Sequence, residues 1–260
     1  MRRLFVAGAV AALIAAALVN PRSFGAAPVG TPQAIAAAVA DASRPTTDTM
    51  RDADRKPAET LAFSGVKPGD VVADYAAGQG YFTRLFADLV APDGHVYAVV
   101  PSLLFVYPNI VKGIAEIEAW AVHRANVTVI FASPLEGVRY PDKLDVFWIS
   151  QNYHDLKDSF MGPVDIAAFN RKVFAALKPG GLYIILDHVA APGSPANVTD
   201  TLHRIEPSVV RSEVEAAGFE FVEKSAILAN PSDPHTASVF DISVRGHTDQ
   251  FIFKFRKPQK

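Results

Sequence analysis

Apolar positions along this chain form short continuous runs, separated by stretches of helical spacing and divided by turn residues. Val71-Val72-Ala73, His95 to Val100, Val127 to Phe131, Leu144 to Ile149 and Leu182 to Leu186 are runs of the first kind. Such runs, bounded by turns, suit strands buried on both faces of a parallel sheet. Tyr81 to Leu89 reads as the helix after the first run. Val164 to Leu177 reads as another, with Ile166, Phe169, Val173 and Leu177 on one face. It stops at the turn Lys178-Pro179-Gly180-Gly181. Pro101 to Val122 is broadly helical with a break near Tyr107-Pro108, because proline inside a helix removes a hydrogen bond. A Pro-, Gly- and Ser-rich segment after Asp187-His188 leads to a short helix near Pro207 to Ala217. A sixth strand follows at Phe219 to Leu228 and a last one at Gln250 to Phe255, where Phe251, Phe253 and Phe255 alternate with Ile252 and Lys254.

Strands alternating with helices predict an α/β fold with a doubly wound, mostly parallel seven-stranded sheet, closed by a hairpin that adds an antiparallel edge. Ahead of it, Pro32 to Ala42 is an alanine-rich helix, Asp41 to Asp52 an exposed polar connection, and Ala53 to Phe63 a second helix. Residues 27–65 thus form a helical cap and residues 66–260 one α/β domain. The charges Arg51, Asp52, Asp54, Arg55 and Lys56 read first as a solvated helix start.

Composition narrows the function classes. A net charge of −2 without a long basic run gives no electrostatic reason to expect nucleic acid. Lys254, Arg256, Lys257 and Lys260 read as a solvated tail. The chain has no cysteine, which excludes disulfides, thiolate ligands, a cysteine nucleophile and a lipid anchor on cysteine. Arg2-Arg3, the apolar run Leu4 to Val19 and the small and polar residues up to Ala27 have the order of a secretory signal peptide, residues 1–26. The expectation is an exported protein, periplasmic or secreted, with no stable membrane insertion after signal removal. An uncleaved anchor is the alternative, although the run is shorter than a typical span.

The candidate chemistry lies where strands end. After Lys67-Pro68-Gly69-Asp70 and the first strand, Asp74 and Ala76-Ala77-Gly78-Gln79-Gly80 turn the chain into the helix starting near Tyr81. Small residues let the backbone approach a ligand closely, the helix start offers free N–H groups, and Asp74 can orient the loop or accept a ligand's hydrogen bonds. A plain strand-to-helix turn would look the same. The fourth strand opens into Ser150-Gln151-Asn152-Tyr153-His154-Asp155, where His154 is a candidate general base. The fifth ends in Asp187-His188. Downstream, Leu202-His203-Arg204-Ile205-Glu206 packs three ionisable residues, of which His203 and Arg204 either cap a pocket and grip an acidic substrate group or begin a surface helix.

The spacing D-x-A-x-G-x-G resembles the D-x-G-x-G-x-G loop of class I S-adenosylmethionine-dependent methyltransferases, departing from it at Ala76. Together with Arg55-Lys56-Pro57, Gly78-Gln79-Gly80-Tyr81, Asn152-Tyr153-His154-Asp155, Asp187-His188, Leu202-His203-Arg204, Arg245-Gly246 and Thr248-Asp249, it is similar to a group of exported bacterial predicted methyltransferases. The resemblance implies a methyltransferase acting on a small molecule. S-adenosylmethionine would lie against Asp74, Ala76, Gly78, Gly80, Tyr81 and Asn152, with Ser133 at the adenine. His154, Asp187 and His188 would be catalytic, and Tyr153, His203 and Arg204 would face the substrate. It also makes the charges at Arg51 to Lys56 a flap over the ligand loop. One departure counts against ordinary cofactor binding: Val100 stands where the family holds the ribose with an acid. Asp187-His188 with Ala191-Pro192-Gly193 resembles the Asp-Asn pair of metal-dependent catechol-type O-methyltransferases, but Ser150 replaces their further Asp. No metal ligand is assigned. A binding protein or another enzyme that keeps the fold without the cofactor is the rival reading. A metal-dependent one would use His154, Asp187, His188 and His203.

Overall fold

The computed structural model describes residues 30–103, 108–134 and 136–260, so the expected signal peptide lies outside the described residues. Four short helices come first: α1 (Pro32–Val39), α2 (Thr46–Thr49), α3 (Asp52–Arg55) and α4 (Pro57–Ser64). Then β1 (Val71–Tyr75), α5 (Tyr81–Val90), β2 (His95–Pro101), α6 (Pro108–Ala121), β3 (Val127–Ala132) and β4 (Leu144–Ser150) alternate. They are followed by α7 (Ile166–Ala176), β5 (Leu177–His188), α8 (Val198–Leu202), α9 (Pro207–Ala216), β6 (Glu220–Ser225) and β7 (Gln250–Arg256). The strands form one sheet in the order β3-β2-β1-β4-β5-β7-β6. Pairs up to β4–β5 are parallel, and β7 runs antiparallel to both β5 and β6.

The seven-stranded, mostly parallel sheet and its antiparallel last strand are as the alternation predicts. The antiparallel strand is not at the edge, however. Phe251, Ile252, Phe253 and Phe255 of β7 are all buried, so both its faces need cover, and it sits between β5 and β6. β6 carries exposed Glu220, Glu223 and Lys224, a charged strand suited to an open edge. Side chains alternate between two cores. Tyr75, Phe147, Ile149, Tyr183 and Ile185 point to the face covered by α7 and α9, while Val72, Val146, Trp148, Ile184 and Ile252 meet α5 on the other. Ile35 of α1 and Leu61 of α4 belong to that second core, so the cap packs on the sheet rather than apart from it.

Three local expectations change. The helix expected over Ala53 to Phe63 is two helices, because Lys56 takes a left-handed conformation (φ 42°) immediately before Pro57. Leu177 already pairs with Leu144, and Lys178 to Gly181 bulge out before pairing resumes between Leu182 and Val146. The sixth strand covers only Glu220 to Ser225 of the expected stretch. Among the described residues no helix is long and apolar enough to cross a membrane.

Candidate functional site

Strand order reverses at β1, which has β2 on one side and β4 on the other, and a crevice opens at such a point beyond the strands' carboxyl ends. A cavity of about 790 Å³ lies there. The glycine-rich loop forms one wall. Ala76, Gly78 and Gly80 take φ values of 58°, 55° and 84°, so Ala76 adopts a conformation that ordinarily favours glycine. Asp74 accepts a 2.6 Å hydrogen bond from Thr83 on α5, which ties the loop to its helix. Burial pushes the Asp74 carboxyl up to about 7. Arg84 donates to the Gln79 carbonyl (2.6 Å) and forms a buried pair with Asp48 (2.7 Å), fixing the loop from below.

Asp48 belongs to the stretch expected to be an exposed connection, and that expectation fails: Asp48 and Arg44 are both buried. Polar groups go inside here because each finds a charged partner, Arg84 for Asp48 and Asp52 for Arg44. Asp52 also accepts from the Tyr81 hydroxyl at 2.7 Å. These ties lay α3 across the loop, with Asp52 and Arg55 turned toward it, while Arg51 and Lys56 stay largely exposed as the solvated reading expects. Arg51 and Arg55 reach the cavity from this segment. Arg55 lies 4.7 Å over the Tyr81 ring and donates to Gln151 at 2.8 Å. Among the described residues no carboxylate pairs with it within 4.0 Å. Burial, with Arg51 nearby, lowers its guanidinium to about 9, which leaves it charged at neutral pH.

The opposite wall comes from the 3-10 turn His154–Lys157 after β4 and from His188 and His203. Asp187, fully buried, accepts from His154 Nδ1 (2.7 Å), from the His154 backbone N–H (2.9 Å) and from its neighbour's N–H (2.8 Å). His154 Nε2 lies 3.0 Å from Asp155 Oδ1 and 3.3 Å from His203 Nδ1. Burial works against the imidazolium, but the Asp187 and Asp155 carboxylates on its two nitrogens outweigh it and hold His154 protonated well above the usual range. Its partner Asp155 is likewise kept ionised despite burial, through hydrogen bonds from His154, His203 and Asn152. Burial drives His188 the other way, down to about 3, and its Nδ1 meets the Thr248 hydroxyl at 2.7 Å. Phe160, Val239 and Phe240 supply an apolar side, with Phe240 edge-on to His203.

The structure thus gathers Asp74, Ala76, Gly78, Tyr81, Asn152, His154, His188 and His203 around one cavity. Gly80 caps α5 just behind it, where a Cβ would come within 2.6 Å of Ile117. Asp187 acts through His154. Tyr153 does not face the cavity: it is fully buried, hydrogen-bonded to Glu213 and Asn170 beneath α7 and α9. Arg204 does not either. It is wholly enclosed in a two-pronged pair with Asp233 (2.8 and 3.0 Å) and donates to the Val189 and Ala237 carbonyls. Ser133 and Val100 are not among the cavity residues, and Val100 is fully buried. Sequence reasoning named Arg51 and Gln151 only as members of longer stretches, and missed Asp158 and Phe240. The signal for Asp158 was its place four residues beyond His154, in a turn that also carries Asp155.

At the level of sequence, no family profile and no curated protein matches the chain. Solved structures do. An S-adenosylmethionine-dependent methyltransferase from Aquifex aeolicus superposes with a TM-score of 0.56 at 17% identity, covering 87% of this chain and 98% of that one. An arsenic(III) S-adenosylmethionine methyltransferase from Chlamydomonas reinhardtii gives 0.53 at 18%, covering 86% and 73%. The [4+2]-cyclase SpnF gives 0.55 at 17%, covering 82% and 81%. The fold is that of the class I methyltransferases. Identities this low carry the fold and not the reaction, as the presence of a cyclase among the matches illustrates. Within this methyltransferase fold, the residues present fit one end of the cofactor better than the other. The open glycine loop, Asp74 and Arg55 suit the charged amino-acid end, whereas the tip of β2 carries the buried, apolar Val100 in place of an acid that could hold a ribose.

Proposed function

We propose that the protein is an S-adenosylmethionine-dependent methyltransferase acting on a small molecule. The observation that carries this reading is the continuity of the cavity: one space joins the glycine-rich loop to the imidazole cluster after β4. Asp74 and the loop around Ala76, Gly78 and Gly80 would hold the cofactor's ammonium end, and Arg55, with Arg51 beside it, its carboxylate. When bound, the cofactor supplies a sulfonium-activated methyl group. What this chain must add is alignment of the acceptor and a place for one proton. His154, expected to be the base, is already protonated between Asp155 and Asp187, so its role is to position Asp155 and His203. The proton goes to that cluster, whose solvent-reaching member is His203. Phe160, Val239 and Phe240 favour an acceptor with an apolar body and one polar group. The Leu4 to Val19 run supports, as part of the same reading, an exported protein.

A second reading rests on Val100: the fold binds another ligand and has lost the cofactor. Calorimetric titration with S-adenosylmethionine and S-adenosylhomocysteine separates the two. One-to-one binding of micromolar strength, abolished in Asp74→Ala, is expected. A folded protein that binds neither would establish the second reading.

A further inference from the structure

Four side chains at the end of the cavity have the disposition of a metal-binding set. One ligand atom each from His154, Asp155, Asp158 and His203 lies within 4.8 Å of the others. Bonds of about 2.0–2.2 Å to a tetrahedral zinc ion put its ligand atoms about 3.3–3.6 Å apart. Here His154 Nε2 and His203 Nδ1 are 3.3 Å apart, His203 Nδ1 and Asp155 Oδ1 3.4 Å, His154 Nε2 and Asp155 Oδ1 3.0 Å, and His203 Nδ1 and Asp158 Oδ2 3.9 Å.

Two independent features point to a cation among them. Asp158 is 1% exposed, yet among the described residues no hydrogen-bond donor reaches either of its carboxylate oxygens with good geometry. A buried carboxylate without well-formed hydrogen bonds is costly, and a coordinated cation removes that cost. The outer hydrogen bonds are also those that metal ligands keep. Asp187 binds His154 through Nδ1, leaving Nε2 turned inward, and Asn152 donates to the far oxygen of Asp155 at 2.6 Å. Two imidazoles and two carboxylates select a borderline transition metal over magnesium or calcium, which want oxygen throughout. Asp187 and His188 face other partners and take no part.

We propose that His154, Asp155, Asp158 and His203 bind one divalent transition-metal ion of the zinc type. Asp158 lies behind the ion, and the other three ligands line the cavity. Four protein ligands complete the tetrahedron of a zinc ion, so the site holds the metal without an exogenous donor. The site uses the same cluster that receives the proton in the methyltransferase reading, a role that belongs to the metal-free protein, and the inference does not rest on that reading.

The test uses the full protein, stripped with chelator and dialysed, then titrated calorimetrically with Zn²⁺, Mn²⁺, Co²⁺ and Mg²⁺. One Zn²⁺ per chain is expected, with Mg²⁺ at least 100-fold weaker and Co²⁺ giving the visible absorption of a four-coordinate ion. Asp158→Asn and His203→Ala should each weaken Zn²⁺ binding 10-fold or more. The Asp158→Asn protein should melt no lower than the wild type in chelator and gain less from the same concentration of Zn²⁺. Absence of saturable binding by every transition ion overturns the proposal. So does an affinity unchanged in both variants, which would place the ion at a surface imidazole such as His247. S-adenosylhomocysteine titrated into the chelated protein tests the methyltransferase reading separately, so either can fail alone.

Discussion

Ala76 holds a left-handed backbone (φ 58°) in which a Cβ meets the following carbonyl, at a cost of about 1–2 kcal/mol. Gln151 and His203, with φ of 59° and 52°, share that conformation and the same cavity. Strain of this kind collects where a backbone is fixed for a ligand. Replacing Ala76 with glycine removes the steric cost but gives the unfolded chain more freedom, worth about 0.5–1 kcal/mol. Ala76→Gly is therefore expected to stabilise the protein by about 0.5–1 kcal/mol, read from urea denaturation. Asp74 gives a prediction in pH. Its carboxyl is raised from 3.8 to about 7 by burial, so the folded state binds the proton more tightly than the unfolded state. The associated stability is fully present below 3.8 and is lost as pH rises through about 7. Asp74→Asn cannot lose it. Its melting temperature should gain on the wild type between about pH 4 and 7 and run parallel above, whereas a constant difference would contradict burial as the cause.

At the scale of elements, the pair Arg204–Asp233 shows what the chain's linear pattern concealed. It fastens residues 229–249, between β6 and β7, to the end of β5, and so sets Val239 and Phe240 against the cavity. Arg204→Met leaves Asp233 buried without its cation and should cost about 3–5 kcal/mol in chemical denaturation. Adding Asp233→Leu should recover part of that loss, because removing both charges avoids the unpaired one. Arg204 was legible as a charged residue near the site, but its partner is 29 residues away in a loop without periodicity. The same limit hid Asp48, which reads as a polar turn residue until Arg84 is placed beside it. Strands β1 to β5 and the glycine loop were legible because apolar runs and small-residue turns are local. The position of β7 inside the sheet depends on which strands it pairs with, although the density of buried phenylalanines was there to be read. His154 stood out by its place after a central strand. Its protonation did not, since that requires knowing that carboxylates from two strand ends converge on one ring.

For the molecule as a whole, α3 and the strand tips face each other across the cavity, and Arg55 spans the gap. It is anchored through Tyr81 on α5 and Gln151 after β4, so the flap and the strand tips are held in one arrangement before any ligand enters. Its guanidinium is charged at neutral pH, and among the described residues no carboxylate pairs with it within 4.0 Å. A charged hydrogen bond to such a group is worth about 1.5–3 kcal/mol, or roughly 10- to 150-fold in affinity. If Arg55 receives a ligand's carboxylate, Arg55→Ala should weaken S-adenosylhomocysteine binding by about that factor. Methylthioadenosine, which shares the nucleoside but has no amino-acid end, should bind wild type and variant alike. Arg55→Lys should restore only part of the loss, because an ammonium cannot keep both the fork to a carboxylate and the stacking on Tyr81. Equal weakening of both ligands would instead assign Arg55 to holding the flap. The two calorimetric titrations, run side by side, therefore tell recognition of the ligand from support of the fold.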